Sequence, residues 1–297
     1  MKSLNTPLFL LSLLSLCACS PSAPSSSESF SSFEESFSTE SISSEGALSS
    51  SEAPSKVKME DLNPRFYGPI AHRGYHDETN PKNSLNAFRA ACEKGFGIET
   101  DVHITSDDKL IISHDSMLTG YGNIETNEFE DIRNNVLLED GEMLPSLEET
   151  YECVKESSTP LLVELKTFGL DDENPTKLGN AVLAETRRLG VDPKNVIFCS
   201  FSWEAILPIL DSEYAAGLFI SNGTNKELID PVLGEKDGLQ NPPDFVAAGY
   251  DVLTNPKCVS YRSHGHKVFS WTLTSQSMYD QVKDSSDGYI FENFLPA

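Results

Sequence analysis

The chain has 297 residues, enough for one large domain or two modest domains with tails and too many for a single small module. Its 46 Asp and Glu residues against 22 Lys and Arg residues give a formal charge of -24, which opposes binding to a nucleic-acid backbone. Hydrophobic residues make up 38% of the chain, which excludes a wholly disordered protein. We therefore expect a folded protein with no nucleic-acid partner.

Residues 1–18 are predicted to be a signal peptide of the lipoprotein type. Lys2 precedes an apolar stretch from Leu8 to Leu16, which is a secretory layout and too short to span a membrane. The segment Leu16-Cys17-Ala18-Cys19 resembles a bacterial lipoprotein processing box, in which Cys19 would carry the lipid because it follows a small residue. We therefore expect an extracytoplasmic protein that a lipid anchors to the cell membrane. The alternative is an ordinary secretory signal with incidental cysteines.

Residues 19–56 are predicted to form a disordered tether ahead of the folded domain, residues 57–297. About half of residues 20–55 are serine, and such a segment buries too little apolar surface to offset the loss of chain entropy. Only two of the basic and six of the acidic residues precede residue 57, so the folded domain keeps a formal charge of -20.

Short β-rich runs alternate with amphipathic stretches along residues 57–297. The predicted strands, in chain order, are Pro69–His72, Phe96–Ile104, Leu110–Ser113, Leu161–Leu165, Val196–Cys199, Ala215–Ile220, Phe245–Ala247, Lys267–Trp271 and Gly288–Phe291. The predicted helices are Ser84–Lys94, Leu147–Lys155, Thr176–Leu189, Trp203–Leu210, Asn255–Ser263 and Gln276–Lys283. About eight such repeats favour an α/β fold of a single domain, the (β/α)8 TIM barrel.

One stretch, Ser116–Leu144, breaks this alternation after the second strand of the barrel. Its Asp, Glu, Asn and Gly residues are typical of a loop, so it is interpreted as an insertion or lid. The domain also holds four cysteines without a C-x-x-C pair, which excludes zinc-ribbon and thioredoxin-like sites. We expect these four to be buried thiols: Cys92, Cys153, Cys199 and Cys258.

Charged side chains concentrate at predicted strand ends, where (β/α)8 barrels carry their active groups. Because strand side chains alternate between two faces, Glu99 points with Asp101, and Glu164 points with Lys166. Buried carboxylates are costly unless they are paired or bind a metal. Glu99, Asp101 and Glu164 are therefore predicted to coordinate one divalent cation, Mg²⁺ or Ca²⁺. The structural alternatives are a salt bridge between Glu164 and Lys166 and a solvated Glu/Asp pair.

His72 and His114 follow two apolar strands of the predicted barrel. A lone histidine at a strand end is more often structural than catalytic. Two histidines with an ordinary pKa of about 6.5 beside a metal, however, would form an acid and base pair for hydrolysis at neutral pH. We therefore predict that both are catalytic. Four other histidines have no such neighbours and are left outside the predicted site: His76, His103, His264 and His266.

The order and spacing of these motifs resemble the glycerophosphodiester phosphodiesterase family, from about Pro69 to Phe291. The motifs are His72-Arg73-Gly74, Asn83-Ser84, Glu99-x-Asp101, Lys109 to His114-Asp115, Glu164-x-Lys166 and Trp271-Thr272. The resemblance implies a (β/α)8 barrel that uses a metal to hydrolyse small glycerophosphodiesters to an alcohol and glycerol phosphate, in lipid metabolism. It also implies the roles just predicted for the carboxylates and for both histidines. It further implies that Arg73 and Lys166 bind the phosphate and that Trp271 lines the pocket.

Two positions depart from the pattern of the family. Lys82, in Pro81-Lys82-Asn83, stands where members usually carry Glu, and Glu292 stands near the acid of the usual Gly-Ile-x-x-Asp ending. Lys82 either grips a further anionic group, marks a weakened enzyme, or is a solvated loop lysine beside an intact catalytic set. Glu292 is expected to stand in for the usual acid.

Two alternative functions remain open from the sequence. A phospholipase D-like or teichoic-acid-cleaving phosphodiesterase could use the same scaffold, and a tether near lipid favours it. A surface protein that binds glycerophosphodiesters without turning them over is favoured by Lys82. The sequence carries no indication of the alcohol group or of the oligomeric state.

Overall fold

The structure, a computed structural model, describes residues 55–167, 174–223, 226–234 and 242–296. The predicted signal peptide, Cys19 and nearly all of the predicted tether lie outside these ranges. Within them, no helix combines the length and the apolar character that crossing a bilayer requires.

Eight parallel strands close into a barrel, which confirms the predicted fold. The strands of the described residues, in chain order, are β1 (Pro69–His72), β2 (Gly97–Ile104), β3 (Leu110–Ile112), β4 (Met117–Leu118), β5 (Gly122–Asn123), β6 (Leu161–Leu165), β7 (Val196–Ser200), β8 (Ala215–Ile220), β9 (Phe245–Gly249), β10 (Lys267–Leu273) and β11 (Gly288–Phe291). The barrel runs β1-β2-β6-β7-β8-β9-β10-β11, and β11 pairs with β1 to close it. β3 is antiparallel to β2 at the rim, and β4 and β5 form a separate hairpin.

Helices lie on the outside of the barrel, and several of them begin at short polar side chains that cap them. They are α1 (Leu85–Lys94), α2 (Phe129–Asn135), α3 (Leu147–Lys155), α4 (Asn174–Arg188), α5 (Trp203–Leu210), α6 (Lys226–Leu233), α7 (Pro256–Ser263) and α8 (Gln276–Val282). The hydroxyl of Ser84 accepts a hydrogen bond from the amide N–H of Ala87 at the start of α1. Ser146 and Glu149 form a capping box at the start of α3. Each cap satisfies amide groups that a helix terminus leaves unpaired.

The barrel interior is filled by alternate side chains of its strands. Ile70, Leu162, Phe245 and Phe269 meet there and are fully buried, while a short 3₁₀ turn, Pro64–Tyr67, adds Phe66. Side chains of opposite parity pack outward against the helices in a second apolar cluster. Because strand side chains alternate strictly, this register also decides which residues face the barrel mouth.

The described chain contacts the barrel from Lys56 onward. Lys56 Nζ donates a hydrogen bond to Leu210 O at 2.7 Å and lies 2.9 Å from Asp244 Oδ2. The amide N–H of Val57 donates to Glu213 O at 2.8 Å. These contacts tie the start of the described chain to the barrel.

The prediction that Ser116–Leu144 is a loop needs correction, because about half of this insertion has regular structure. It contains the β4–β5 hairpin, a 3₁₀ turn (Ile124–Thr126) and α2. Its buried apolar side chains pack with Ile111 of β3 into a small separate core: Leu118, Ile124, Ile132 and Leu144. These apolar residues are too widely spaced to show a helical or strand period, so the sequence displays chiefly the turn residues between them.

Helix α6 was not predicted either, since Pro231 interrupts its pattern. The four cysteines of the domain are free thiols, as expected. Only Cys199 and Cys258 are fully buried, however, while Cys92 and Cys153 are half-buried at the outer surface.

Candidate active site

The predicted site residues meet at the C-terminal mouth of the barrel. Two positions beyond Ile70, on the same face of β1, lies His72, and two beyond Leu162 in β6 lies Glu164. One cavity at this mouth is lined by His72, Arg73, Glu99, His114, Glu164, Lys166 and Trp271. Asp101, the remaining predicted residue, is fully buried beside them. The alternation that fills the barrel interior thus places the side chains on the barrel strands at the mouth, and the segments after β1 and β3 add Arg73 and His114.

Three carboxylates form the centre of this arrangement. Glu99, Asp101 and Glu164 each offer one oxygen, and these oxygens lie within 4.8 Å of one another. All three side chains are buried. Lys166 Nζ lies 2.8 Å from Glu164 Oε1 and 3.3 Å from Asp101 Oδ1, and Arg73 Nε lies 3.4 Å from Asp101 Oδ2. The salt bridge weighed as a structural alternative is therefore present, but two cations face three buried carboxylates.

Burial and mutual repulsion raise the pKa values of two of these carboxyl groups, while the neighbouring cations lower that of the third. Burial raises the pKa of Glu99 well above its ordinary value, and Asp101 and Glu164 add to the shift. Burial, followed by Asp101, raises the pKa of Glu164 to about 7. Burial alone would raise the pKa of Asp101 as well, but Lys166 and Arg73 outweigh it and lower that pKa. Since like charges resist joint ionisation, the cluster favours taking up protons or a cation.

The residues of this cluster fit a divalent cation. Their donors are hard carboxylate oxygens, which Mg²⁺ and Ca²⁺ prefer. Among the described residues, the buried Asp101 Oδ1 receives no hydrogen bond although Lys166 lies near it. A buried oxygen without a hydrogen bond and one unbalanced negative charge are both unfavourable. A cation held by Glu99, Asp101 and Glu164 would satisfy both.

The turn after β1 places a main-chain N–H group against Glu99. Arg73 and Gly74 have positive φ angles of 56° and 79°, and a Cβ at Gly74 would meet Ala87 at 2.8 Å, so only glycine fits there. This turn aims the amide N–H of Arg73 at Glu99 Oε2, at 2.9 Å. The local backbone therefore contributes a hydrogen bond to the carboxylate cluster.

Asn83 is a site residue that the sequence indicated only as part of a motif. It is buried with a positive φ of 59°, and its amide N–H donates to Arg73 O at 2.9 Å. Its side chain donates from Nδ2 to Asp101 Oδ2 and accepts from the hydroxyl of Thr100, both at 2.9 Å. Asn83 thus orients Asp101 through a side-chain amide that is hydrogen-bonded at both its nitrogen and its oxygen.

The two departures from the family pattern contact each other. Lys82 Nζ lies 2.9 Å from Glu292 Oε2, so this loop lysine, whose side chain is 45% exposed, is also an ion-pair partner. The same oxygen lies 3.1 Å from His72 Nδ1 and 3.2 Å from His76 Nε2. Hydrogen bonds from His72 and His76 lower the pKa of Glu292, which stays ionised. His76, which was left outside the predicted site, therefore helps to hold the carboxylate of Glu292 that contacts His72.

Glu292 fixes the tautomer of His72. An ionised carboxylate has no proton to give, so His72 Nδ1 donates and Nε2 is left as an acceptor. His72 Nε2 faces the carboxylates, 3.9 Å from Glu99 Oε2. Burial lowers the pKa of His72, and the hydrogen bond to Glu292 opposes this effect. Burial also lowers the pKa of His114, so both imidazoles are mainly neutral near pH 7.

Aromatic side chains line the other half of the cavity. The ring centroids of Phe201, Phe219 and Trp271 lie 5.1–5.4 Å from one another, and Trp271 Nε1 donates to Ala247 O at 2.7 Å. Phe201 and Phe219 were not predicted as site residues. Each continues the set of alternate residues that face inward, from β7 and β8 respectively. The cavity is therefore charged on one side and apolar on the other.

Fold and site together define a (β/α)8 barrel with a buried acidic cluster and two histidines at its C-terminal mouth. The model of the family described as "Glycerophosphoryl diester phosphodiesterase family" matches residues 72–293, about three quarters of the chain. The chain belongs to this family.

Curated relatives align over part of their length. A glycerophosphodiester phosphodiesterase from Caldanaerobacter subterraneus subsp. tengcongensis is 33% identical over 110 residues, which is 33% of this chain and 44% of that protein. Glycerophosphodiester phosphodiesterase 1 from Bos taurus is 36% identical over 122 residues, 36% of each chain. The chain thus aligns with less than half the length of these relatives.

Solved structures share the fold. A glycerophosphodiester phosphodiesterase from Parabacteroides distasonis has a TM-score of 0.62 at 23% identity and covers 75% of this chain and 92% of its own. An Oleispira antarctica phosphodiesterase in complex with the product sn-glycerol-3-phosphate has the same TM-score at 20% identity, with the same two coverages. At such identities the likeness establishes the barrel.

We predict that cation binding at the cluster is coupled to proton release. Because the pKa of Glu164 is raised to about 7 and that of Glu99 is also raised, a cation must displace protons from this cluster, and its affinity should rise with pH at least up to about 7. Each displaced proton corresponds to about a tenfold change in the cation affinity per pH unit. Calorimetric Mg²⁺ or Ca²⁺ titrations from pH 5 to 8, in two buffers of different ionisation enthalpy, measure the cation affinity and the number of protons released. Glu164→Gln is the matched control, in which the pH dependence should weaken; a wild-type affinity that is flat with pH would contradict the coupling.

Proposed function

We propose that this protein hydrolyses glycerophosphodiesters to an alcohol and glycerol phosphate, aided by one divalent cation, Mg²⁺ or Ca²⁺. The observation that carries the proposal is the meeting of two histidines, two cationic side chains and three buried carboxylates around one cavity. Family membership and the printed names of the relatives support the substrate class.

Glu99, Asp101 and Glu164 would hold the cation, which supplies positive charge and polarises a phosphoryl oxygen when bound. With all three carboxylates ionised, as cation binding requires, the cluster with Arg73 and Lys166 carries one net negative charge. A divalent cation makes this total positive by one, which matches the single negative charge of a phosphodiester. The fold thus balances charge locally, although the domain as a whole is strongly acidic.

Arg73 and Lys166 are the side chains that would contact the phosphate. Both line the cavity, and both are held by Asp101 within 3.4 Å. Fixed cations of this kind stabilise charge that builds on phosphate oxygens during displacement, because they need no reorganisation. Their location also offsets the unfavourable long-range field of the domain on an anionic substrate.

His72 and His114 would move the protons of the reaction. One imidazole, in its neutral form, accepts the proton of the attacking group, while the other, in its protonated imidazolium form, donates a proton to the departing alcohol. His72 is prepared for this task because Glu292 holds its Nδ1 proton and leaves Nε2 facing the cavity. The aromatic side of the cavity, with Trp271, would contact the less polar part of the substrate.

We favour hydrolysis over a surface protein that binds glycerophosphodiesters without turning them over. That alternative was based on Lys82, and Lys82 is engaged by Glu292 at the edge of the site. Lipid and teichoic-acid substrates remain within the same phosphodiester chemistry. A substrate panel read by mass spectrometry separates them from glycerophosphodiesters.

We predict metal-dependent hydrolysis that requires both histidines. The purified protein should release glycerol phosphate from glycerophosphocholine only with added Mg²⁺ or Ca²⁺, and His72→Ala and His114→Ala should each lower kcat by about 10² to 10⁴. His264→Ala is the control, because His264 lies at the exposed end of α7 outside the cavity, and it should keep wild-type activity. Turnover that survives both chelation and the loss of either histidine would refute the proposal.

We predict a large effect at Glu292 and a small one at Lys82. Glu292→Gln weakens the acceptor that fixes the tautomer of His72, so kcat should fall more than about tenfold. Lys82→Met removes a partly exposed ion pair, which typically contributes about 0 to 1 kcal/mol, so kcat should change less than about fivefold. Steady-state kinetics with matched melting temperatures make the comparison. Equal losses in the two variants would show that Lys82 does more than pair with Glu292.

We also propose that the protein is extracytoplasmic and held at the cell membrane through Cys19. The signal-like residues 1–18 and the serine-rich segment 19–56 support this proposal. In a bacterial host, the full chain should incorporate labelled palmitate and sediment with membranes, and Cys19→Ala should abolish both. Cys17→Ala is the matched control and should keep both. Lipid labelling that persists in Cys19→Ala would contradict the assignment.

A further inference from the structure

A buried histidine and glutamate connect the insertion to the barrel outside the cavity. His103 lies on β2, two residues beyond Asp101, and its side chain is fully buried. Its Nδ1 lies 2.6 Å from Glu125 Oε1, and the Glu125 side chain is 7% exposed. Glu125 belongs to the 3₁₀ turn of the insertion, beside the buried Ile124. A carboxylate of the insertion therefore contacts a side chain near the end of β2.

The second ring nitrogen of His103 reaches the segment that carries His114. His103 Nε2 lies 3.3 Å from the main-chain oxygen of His114. A carbonyl oxygen can only accept a hydrogen bond, so Nε2 is the donor. One imidazole thus bridges the insertion and the backbone of a predicted catalytic residue.

The side chain of His114 has little support of its own. It is 40% exposed, and its Nδ1 lies 2.7 Å from Asp115 Oδ1, on a side chain that is 77% exposed. The amide N–H of Ser113 donates to Asp101 O at 3.1 Å, which fixes the chain one residue earlier. The contact from His103 is thus a buried restraint on the main chain of His114 itself.

We propose that His103 and Glu125 are positioning residues that set the place of His114 at the barrel mouth. Their role rests on the proposed function, since it matters for catalysis only if His114 transfers a proton. The packed core of the insertion contributes to this role, because Ile124 of that core is next to Glu125 in the chain. Buried second partners of this kind typically change activity about 10- to 100-fold when removed.

The test is a set of Glu125 variants measured with and without His114. Glu125→Ala should lower kcat about 10- to 100-fold with less than about a threefold change in KM, because substrate contacts are untouched. Glu125→Gln keeps a side chain that can either accept from or donate to His103 Nδ1, so it should retain most of the activity that Glu125→Ala loses. In a His114→Ala background, Glu125→Ala should cause no further loss, since a positioning residue acts through the residue it holds.

Arg133→Met is the matched control for loosening of the insertion. Arg133 Nη2 lies 2.9 Å from Glu149 Oε1, which is a second link between the insertion and the barrel that does not involve His114. This variant should keep wild-type kcat. Calorimetry should give the same Mg²⁺ affinity for Glu125→Ala as for the wild type, because the three carboxylates are unchanged.

The outcomes separate this inference from the proposed function. If His114→Ala is inactive but Glu125→Ala keeps wild-type kcat, the positioning role is wrong and the proposed function stands. An equal further loss in the His114→Ala background would also overturn it, because the effect would then bypass His114. If the wild type shows no turnover, the NMR signal of the His114 ring decides. It should shift or broaden in Glu125→Ala and not in Arg133→Met, and an unmoved signal overturns the inference.

Discussion

The burial of three carboxylates at one end of a closed barrel is the constraint on which the rest of the site depends. Glu99, Asp101 and Glu164 face the barrel mouth because their strands keep the register that packs apolar side chains below them. Such a cluster is unfavourable unless positive charge and hydrogen bonds surround it. The neighbouring residues supply both, and the remaining charge suits a divalent cation.

The surrounding structure is arranged around that requirement. Lys166 and Arg73 lie against Asp101, the amide of Asn83 satisfies one of its oxygens, and the strained turn after β1 aims a backbone N–H at Glu99. On the outer side, Glu292 collects three donors, one of which is His72. The groups that offset the charge of the cluster would therefore also contact the phosphate of the substrate and transfer the protons of the reaction. Structure and proposed chemistry share one electrostatic cause.

Much of the fold and the position of the site follow from sequence patterns, because strand alternation and strand-end polar residues are local signals. The eight predicted site residues meet at one mouth, although their roles remain predictions. What the sequence could not reveal depends on tertiary contacts. Lys82 and Glu292 are separated by 210 residues and contact each other only in the closed barrel. The insertion looked like a loop because its core residues are widely spaced, and the link from Glu125 through His103 to His114 has no sequence period at all.

Anomalous X-ray diffraction from crystals soaked in Mn²⁺ tests the central claim most directly, because it locates a cation without relying on turnover. We expect one strong anomalous peak at the barrel mouth, within coordination distance of carboxylate oxygens from Glu99, Asp101 and Glu164 together, with Lys166 no longer their main partner. A cluster that stays paired with Lys166 and Arg73 alone, with no peak beside it at saturating Mn²⁺, would contradict the claim that these carboxylates form a cation site.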